Sequence, residues 1–379
     1  MIYLDNNATT QLAPSVRAAM LPFLDVSYGN PSSAHAGGRD ARRAVEAARE
    51  SVAGLLGTDR AEIVFTSGGT ESDNWAIRGA LAASPEKKHI VTSRVEHEAV
   101  RKLCEKLGLE GYEVSLLDVD EDGALDLSQV REFVRSDTAV VSVMLANNET
   151  GILFPVDEIA EIVKQRSDAL MHVDGVNAVG KVPIDLSKTA IDLFSVAAHK
   201  FHGPKGVGAL YIRDGVTLQS LSIGGGQESG RRAGTEAVHQ IVGMGAAAEF
   251  VRDMSATHKV RRLRDKLEKE ILQNISVASL NGTSDESRRL PNTSNVSFEN
   301  LNGEAIMARL DDAGICVSTG SACNARDHVA SAVLAAMDIP YAKAMGSIRF
   351  SLGRFNIEEE IATVPAEVER IIADLRSFG

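Results

Sequence analysis

The sequence predicts an α/β protein: a large domain with a mainly parallel seven-stranded sheet flanked by helices, joined to a smaller α+β domain. Three observations carry this. The chain has 379 residues, too many for one ordinary hydrophobic core. From about residue 60 to 215, short apolar runs alternate with helix-period segments, the rhythm of a parallel sheet covered on both faces. Beyond about residue 256 that rhythm gives way to strands and helices in mixed order.

Taken in order, the strand candidates of the large domain are 62–66, 89–93, 111–116, 139–145, 169–173, 193–197 and 208–212. They are short runs of apolar and β-branched residues. Helical periodicity occupies 70–81, 99–107, 127–134 and 156–164 between several of them. The run 208–212 follows 193–197 closely, so one antiparallel member is expected. Two long patterns, 237–254 and 259–272, read as helices, the second rich in opposite charges at helical spacing. Strands are then expected at 294–298, 315–318 and 347–351, with helices at 303–312 and 357–372. The expected division is 13–255 for the large domain and 256–379 for the small one, with residues 1–12 packing on the latter.

The composition, 44% hydrophobic and 24% charged, is that of a soluble globular protein. An acid within the first five residues and no basic, apolar leader point to a cytoplasmic location. No run reaches the roughly 18 to 20 apolar residues of a membrane span. A formal net charge of −12 argues against non-specific nucleic-acid binding. Three cysteines, 104, 316 and 323, form neither a disulfide framework nor a zinc pattern. Cys104 fits a core position on a helix, and Cys316 a buried strand position.

Chemistry concentrates in four places. Phe65-Thr66-Ser67-Gly68-Gly69-Thr70 joins a strand to a helix through two glycines, a geometry that offers backbone N–H groups to an anion. An ordinary capped turn would look the same. His172-Val173-Asp174 places a carboxylate at a strand end, where open α/β sheets bind ligands, although a helix cap is the simpler role for an isolated Asp. Ala198-His199-Lys200-Phe201-His202-Gly203 follows an apolar strand with a lysine, whose amine becomes available for imine formation if it is desolvated. By itself this segment reads as a basic turn. Together the three supply what pyridoxal 5'-phosphate (PLP) requires: an anion cradle, an acid for the pyridine nitrogen and a Schiff-base lysine. The fourth place is Ser318-Thr319-Gly320-Ser321-Ala322-Cys323, a thiol among small residues, followed downstream by Ser347-Ile348-Arg349-Phe350. An arginine on a strand can grip a carboxylate with two hydrogen bonds, or serve in an ordinary ion pair.

These segments resemble the NifS/IscS-like cysteine desulfurases, of the class-V branch of PLP fold-type-I enzymes. Further matches run nearly end to end: Tyr3–Thr10, Gly29–Ser33, Glu96-His97, Asn147–Gly151, Gly224–Glu228 and Arg232–Thr235. The resemblance implies that Lys200 carries the cofactor and shuttles protons, that Asp174 pairs with the pyridine nitrogen, and that His97 stacks on the ring. It implies that Gly69, Thr70 and His199 hold the phosphate, with Thr235 reaching it from the other subunit of a homodimer. Asn148 and Asn177 would lie near the phenolic oxygen, Asn148 also near the substrate, and Arg349 would bind the carboxylate of L-cysteine. Cys323 would take the sulfur as a persulfide, leaving L-alanine, and pass it to an acceptor protein such as an iron–sulfur scaffold or a thiolation enzyme.

The chain departs from that family's pattern at three points. Asn177 stands where a glutamine is usual, and Ala197 where a serine is common, so a weaker hold on PLP is expected. Ala330-Ser331-Ala332-Val333-Leu334 replaces a Pro-Ser-His-Val-Leu-like stretch. The rival readings are a selenocysteine lyase or another class-V enzyme, and a non-catalytic sulfur-transfer scaffold.

Overall fold

The structure, a computed structural model, describes residues 1–319 and 330–377. A short strand, β1 (Ile2–Tyr3), precedes two helices that the apolar periodicity does not announce, α1 (Pro14–Asp25) and α2 (Ala36–Leu56). Proline at position 22 interrupts the pattern of α1. The buried face of α2 includes Ala41, Val45, Ala48, Val52 and Ala53, and alanines make a faint hydrophobic stripe.

The alternating region then unfolds as expected: β2 (Ile63–Thr66), α3 (Gly69–Ala83), β3 (His89–Ser93), α4 (Glu98–Leu109), β4 (Glu113–Leu117), α5 (Leu127–Phe133), β5 (Thr138–Met144), α6 (Val156–Arg166), β6 (Leu170–Asp174), β7 (Leu193–Ala197) and β8 (Gly208–Ile212). Among the described residues these strands form one seven-stranded sheet in the order β2-β8-β7-β6-β5-β3-β4. Only β8 runs against its neighbours, β7 and β2; the other pairings are parallel. The carboxyl ends of β2, β3, β5, β6 and β7 therefore lie along one edge. Helix α7 (Val238–Arg252) packs on both α1 and α2.

The second half adds α8 (Ser255–Asn274), β9 (Ala278–Leu280), β10 (Thr293–Phe298), α9 (Gly303–Asp312), β11 (Ile315–Cys316), α10 (Ala332–Ala336), α11 (Tyr341–Ala344), β12 (Ser347–Ser351), α12 (Glu358–Ile361) and α13 (Val364–Ser377). Strands β12, β10 and β9 form an antiparallel sheet. A separate hydrophobic cluster joins Leu4 to Leu267, Val296, Phe298, Phe350 and Ile371. Val333, Leu334 and Met337 instead pack on the core of the large sheet.

Two expectations need correction. The helix expected over 357–372 is two helices, because Pro365 in the first turn of α13 lacks the N–H that would continue α12. The strand expected over 315–318 ends at Cys316 and pairs with β1; Ser318 makes only an isolated bridge to Arg349. Cys316 is half-buried, whereas Cys104 lies in the core with its thiol pushed up to about 12 by burial.

The turn after β6 leaves no room for a side chain. A Cβ on Gly175 would stand 1.9 Å from Cζ of Phe194. Gly175→Ala is expected to lower the unfolding free energy by about 1–3 kcal/mol, read from urea denaturation.

Candidate active site

The first component grows from the β2–α3 junction. Helix α3 begins at Gly69, so the N–H groups of Gly69 and Thr70 belong to its unpaired first turn. A Cβ at position 69 would lie 2.6 Å from Cγ2 of Val176, so glycine is required for the close approach. Glu71 accepts from the Ser67 N–H at 2.8 Å and pairs with Arg232 at 2.9 Å. Its carboxylate thus braces the loop from the side.

The second component is a buried polar layer at the carboxyl edge of the sheet. Asp174 ends β6, and its Oδ1 accepts from the Val176 N–H at 2.9 Å. Burial raises its pKa, opposed by His97 and Lys200. Two residues earlier on the same face, His172 bonds the hydroxyls of Ser142 (2.8 Å) and Ser195 (3.0 Å). Burial pushes His172 down to about 3, which keeps it neutral. The Ser195 hydroxyl is thus engaged below the site, and it does not replace the hydroxyl missing at Ala197.

The third component is the turn after β7. Lys200 Nζ donates to the backbone carbonyls of Asn7 and Ala8, the latter at 3.1 Å. His199 Nδ1 lies 3.3 Å from the Thr9 hydroxyl, and its carbonyl accepts from the Thr10 N–H at 2.8 Å. His97 caps α4, its Nδ1 accepting from the Ala99 N–H at 3.1 Å. That bond leaves Nε2 to carry the ring proton.

These residues converge. Gly69, Thr70, His97, Asn148, Asp174, Asn177, Ala197, His199 and Lys200 line one cavity of about 290 Å³. A second, of about 310 Å³, shares Ala8, His97, Asn148 and Lys200 with the first and adds Arg349. Arg349, on β12, donates to Asp5 Oδ1 at 2.7 Å and to the Asn148 carbonyl at 3.0 Å. Its Nε is buried with no hydrogen-bond partner among the described residues. Thr235 is exposed and lines neither cavity. Cys323 lies outside the described residues.

The donor set fits PLP. A glycine-lined helix N-terminus, a buried carboxylate and a lysine amine face one cavity, matching an anionic group, a protonatable ring nitrogen and an aldehyde. The comparisons agree with that chemistry. The family model for class-V aminotransferases matches residues 2–364. A cysteine desulfurase of Nostoc sp. is 50% identical over 381 aligned positions, covering all of this chain and 94% of that protein.

The chain belongs to the class-V aminotransferases, among the cysteine desulfurases.

A solved structure described as a NifS-like protein superposes with a TM-score of 0.93 at 40% identity, covering 99% of this chain and all of the other. Another, described as SspA in complex with cysteine, gives 0.83 at 35% identity, covering 94% of this chain and all of the other. The sheet order and the antiparallel β8 are those of a PLP fold-type-I large domain.

Sequence reasoning missed Asp5, Asn7 and Lys181. Asp5 and Asn7 stood in the matching segment Tyr3–Thr10 without a role. Lys181 gave one signal, a lone lysine following Gly180 in an otherwise apolar turn.

Burial, with Lys200, Lys205 and Lys181 nearby, pushes His199 from 6.5 down to about 4. As pH falls below 6.5, the unfolded chain takes up a proton that the folded apoprotein refuses. The stability contributed by neutral His199 is therefore intact above about 6.5 and lost as pH falls toward about 4. His199→Gln is expected to flatten that limb of the apoprotein's denaturation free energy against pH.

Proposed function

We propose that this enzyme is a PLP-dependent cysteine desulfurase that converts L-cysteine to L-alanine and carries the sulfur as a persulfide on Cys323. One observation carries the reading: the cradle, acid and amine that suit PLP face a cavity adjoining the one lined by Arg349, in a chain half-identical to cysteine desulfurases. PLP, when bound, supplies an electron sink for the substrate's α-carbon.

The chain's own groups do the rest. Arg349 binds the cysteine carboxylate, with its guanidinium already oriented by Asp5 and the Asn148 carbonyl. With PLP bound, Asp174 would hold the positive charge of a protonated ring nitrogen and His97 would pack on the ring. Gly69, Thr70 and His199 would hold the phosphate, and Asn148 and Asn177 the phenolic oxygen. Lys200 would hold the cofactor and move the proton at the α-carbon. Cys323 as a thiolate attacks the substrate sulfur. The substrate's carbon–sulfur bond breaks, a sulfur–sulfur bond forms on Cys323, and protons complete alanine.

The proposal extends to a homodimer, with Thr235 contributing to the partner's phosphate site. Its exposure supports this, as do the exposed apolar side chains Val26, Tyr28 and Ile223. We further propose that 13–255 and 256–379 act as two units, with 1–12 on the second. The destination of the sulfur is an acceptor protein. Among the described residues no helix is long and apolar enough to cross a membrane. The free thiols of Cys104 and Cys316 suit a reducing compartment, and we propose the cytoplasm.

Cysteine added to the PLP-loaded protein is expected to yield alanine, and sulfide when a thiol reductant is present, with Cys323→Ala abolishing both. Equal alanine from the two proteins would remove the nucleophile assignment, and no turnover by either would favour the scaffold reading. Arg349→Lys, which loses the two-pronged grip, is expected to raise KM for cysteine about tenfold.

A further inference from the structure

Lys181 has no part in the reaction just described, yet it sits against its machinery. Its Nζ donates to Oδ1 of Asn177 at 2.8 Å and to Oδ1 of Asn7 at 3.1 Å. It lines a small cavity of about 40 Å³ together with Lys200. We infer that Lys181 is a positioning residue: it turns the Asn177 amide so that its NH2 group faces the cofactor cavity, and holds Asn7 where its carbonyl meets Lys200. This rests on the assignment of that cavity to PLP.

The Nζ of Lys181 gives its protons to both amide oxygens. Each amide beside it thus presents oxygen to Lys181 and nitrogen elsewhere. For Asn7, the nitrogen donates to the Asn148 carbonyl (3.1 Å) and the Thr293 hydroxyl (2.9 Å). A second amide, Asn292, donates to the same Asn7 oxygen at 3.0 Å. For Asn177, the nitrogen has a long contact, 3.4 Å, to the Asn147 carbonyl, and the residue lines the 290 Å³ cavity. A donor so held suits an oxygen anion of the ligand. Without Lys181 only the long contact to the Asn147 carbonyl keeps the oxygen of the short amide from turning toward that anion, where two acceptors would repel.

Lys181 also bears on Lys200 through charge. Burial, then Lys200, then Arg349 hold its pKa well below the usual lysine range. His199 and His202 also lie within its electrostatic reach.

The test uses the full-length protein, measuring the PLP dissociation constant and the pH midpoint of the bound cofactor's visible absorbance. Lys181→Met is expected to weaken PLP binding about tenfold and to move the midpoint. Asn177→Ala is expected to cost a similar factor in the wild-type background and little more in the Met background, because the two act as a unit. A tie that only stabilised the fold would lower the melting temperature while leaving the midpoint in place. Lys181→Leu, which likewise has no donor, is the second variant should the Met protein fail to fold. Wild-type affinity and midpoint in whichever variant folds, or fully additive losses in the double variant, would overturn the inference. Failure of the wild type to take up PLP would instead overturn the function proposed above.

Discussion

The site depends on one buried asparagine. Asn7 meets Lys200 through its backbone carbonyl, Lys181 and Asn292 through its side-chain oxygen, and Asn148 and Thr293 through its side-chain nitrogen. Its own N–H donates to the Ser351 hydroxyl at 3.0 Å. Every polar atom of the residue is therefore committed, and the partners come from the large sheet's loops, from β10 and from β12. Burying an amide costs free energy unless its bonds are made, and here they are made only if both halves of the molecule are in place. Two residues earlier, Asp5 repeats the logic with Arg349. The amino-terminal segment thus couples Lys200, the proposed cofactor lysine, to Arg349, the proposed carboxylate-binding arginine.

How much of this the sequence reveals follows from how local each signal is. The large sheet was legible because its strands are short apolar runs, interrupted by helices whose buried residues recur every three or four positions. Helices α1 and α2 were not, since one contains Pro22 and the other buries mostly alanine. The break before Pro365 carried a local signal that the helical periodicity around it outweighed. At the site, Gly69, Asp174, His199 and Lys200 were readable because strand ends and glycine turns mark them. Asp5 and Asn7 act through partners up to 344 residues away, and no spacing rule reaches that far. Lys181 is a basic side chain in a turn that folds inward, which local pattern reads as solvated.

The departures at Ala197 and Asn177 take on a physical meaning in this setting. At Ala197 the cavity has no hydroxyl to offer, and the nearby Ser195 is occupied with His172. At Asn177 a shorter amide replaces the longer one usual in the family, but it is braced from behind by Lys181. The first change removes a donor. The second trades reach for fixed orientation, which lowers the entropy lost when a ligand is bound.

Charge sets Asp174 apart from the other buried acids. Asp73, Glu96 and Asp174 all lie in the interior, and burial raises all three. Asp73 is raised well above the usual range, with Asp174 adding to the effect. Its nearest base, His172 at 3.6 Å, is itself neutral, so no ion pair relieves it. Glu96 accepts from the Ser93 hydroxyl and the Met144 N–H, yet is still pushed up to about 8. Only Asp174 among the three has basic groups, His97 and Lys200, working against its burial. Burial therefore opposes charge on all three, and Asp174 is the one whose basic neighbours favour its charged form. With PLP bound as proposed, a carboxylate at Asp174 would favour a protonated ring nitrogen, the state in which a pyridine ring draws electrons most strongly.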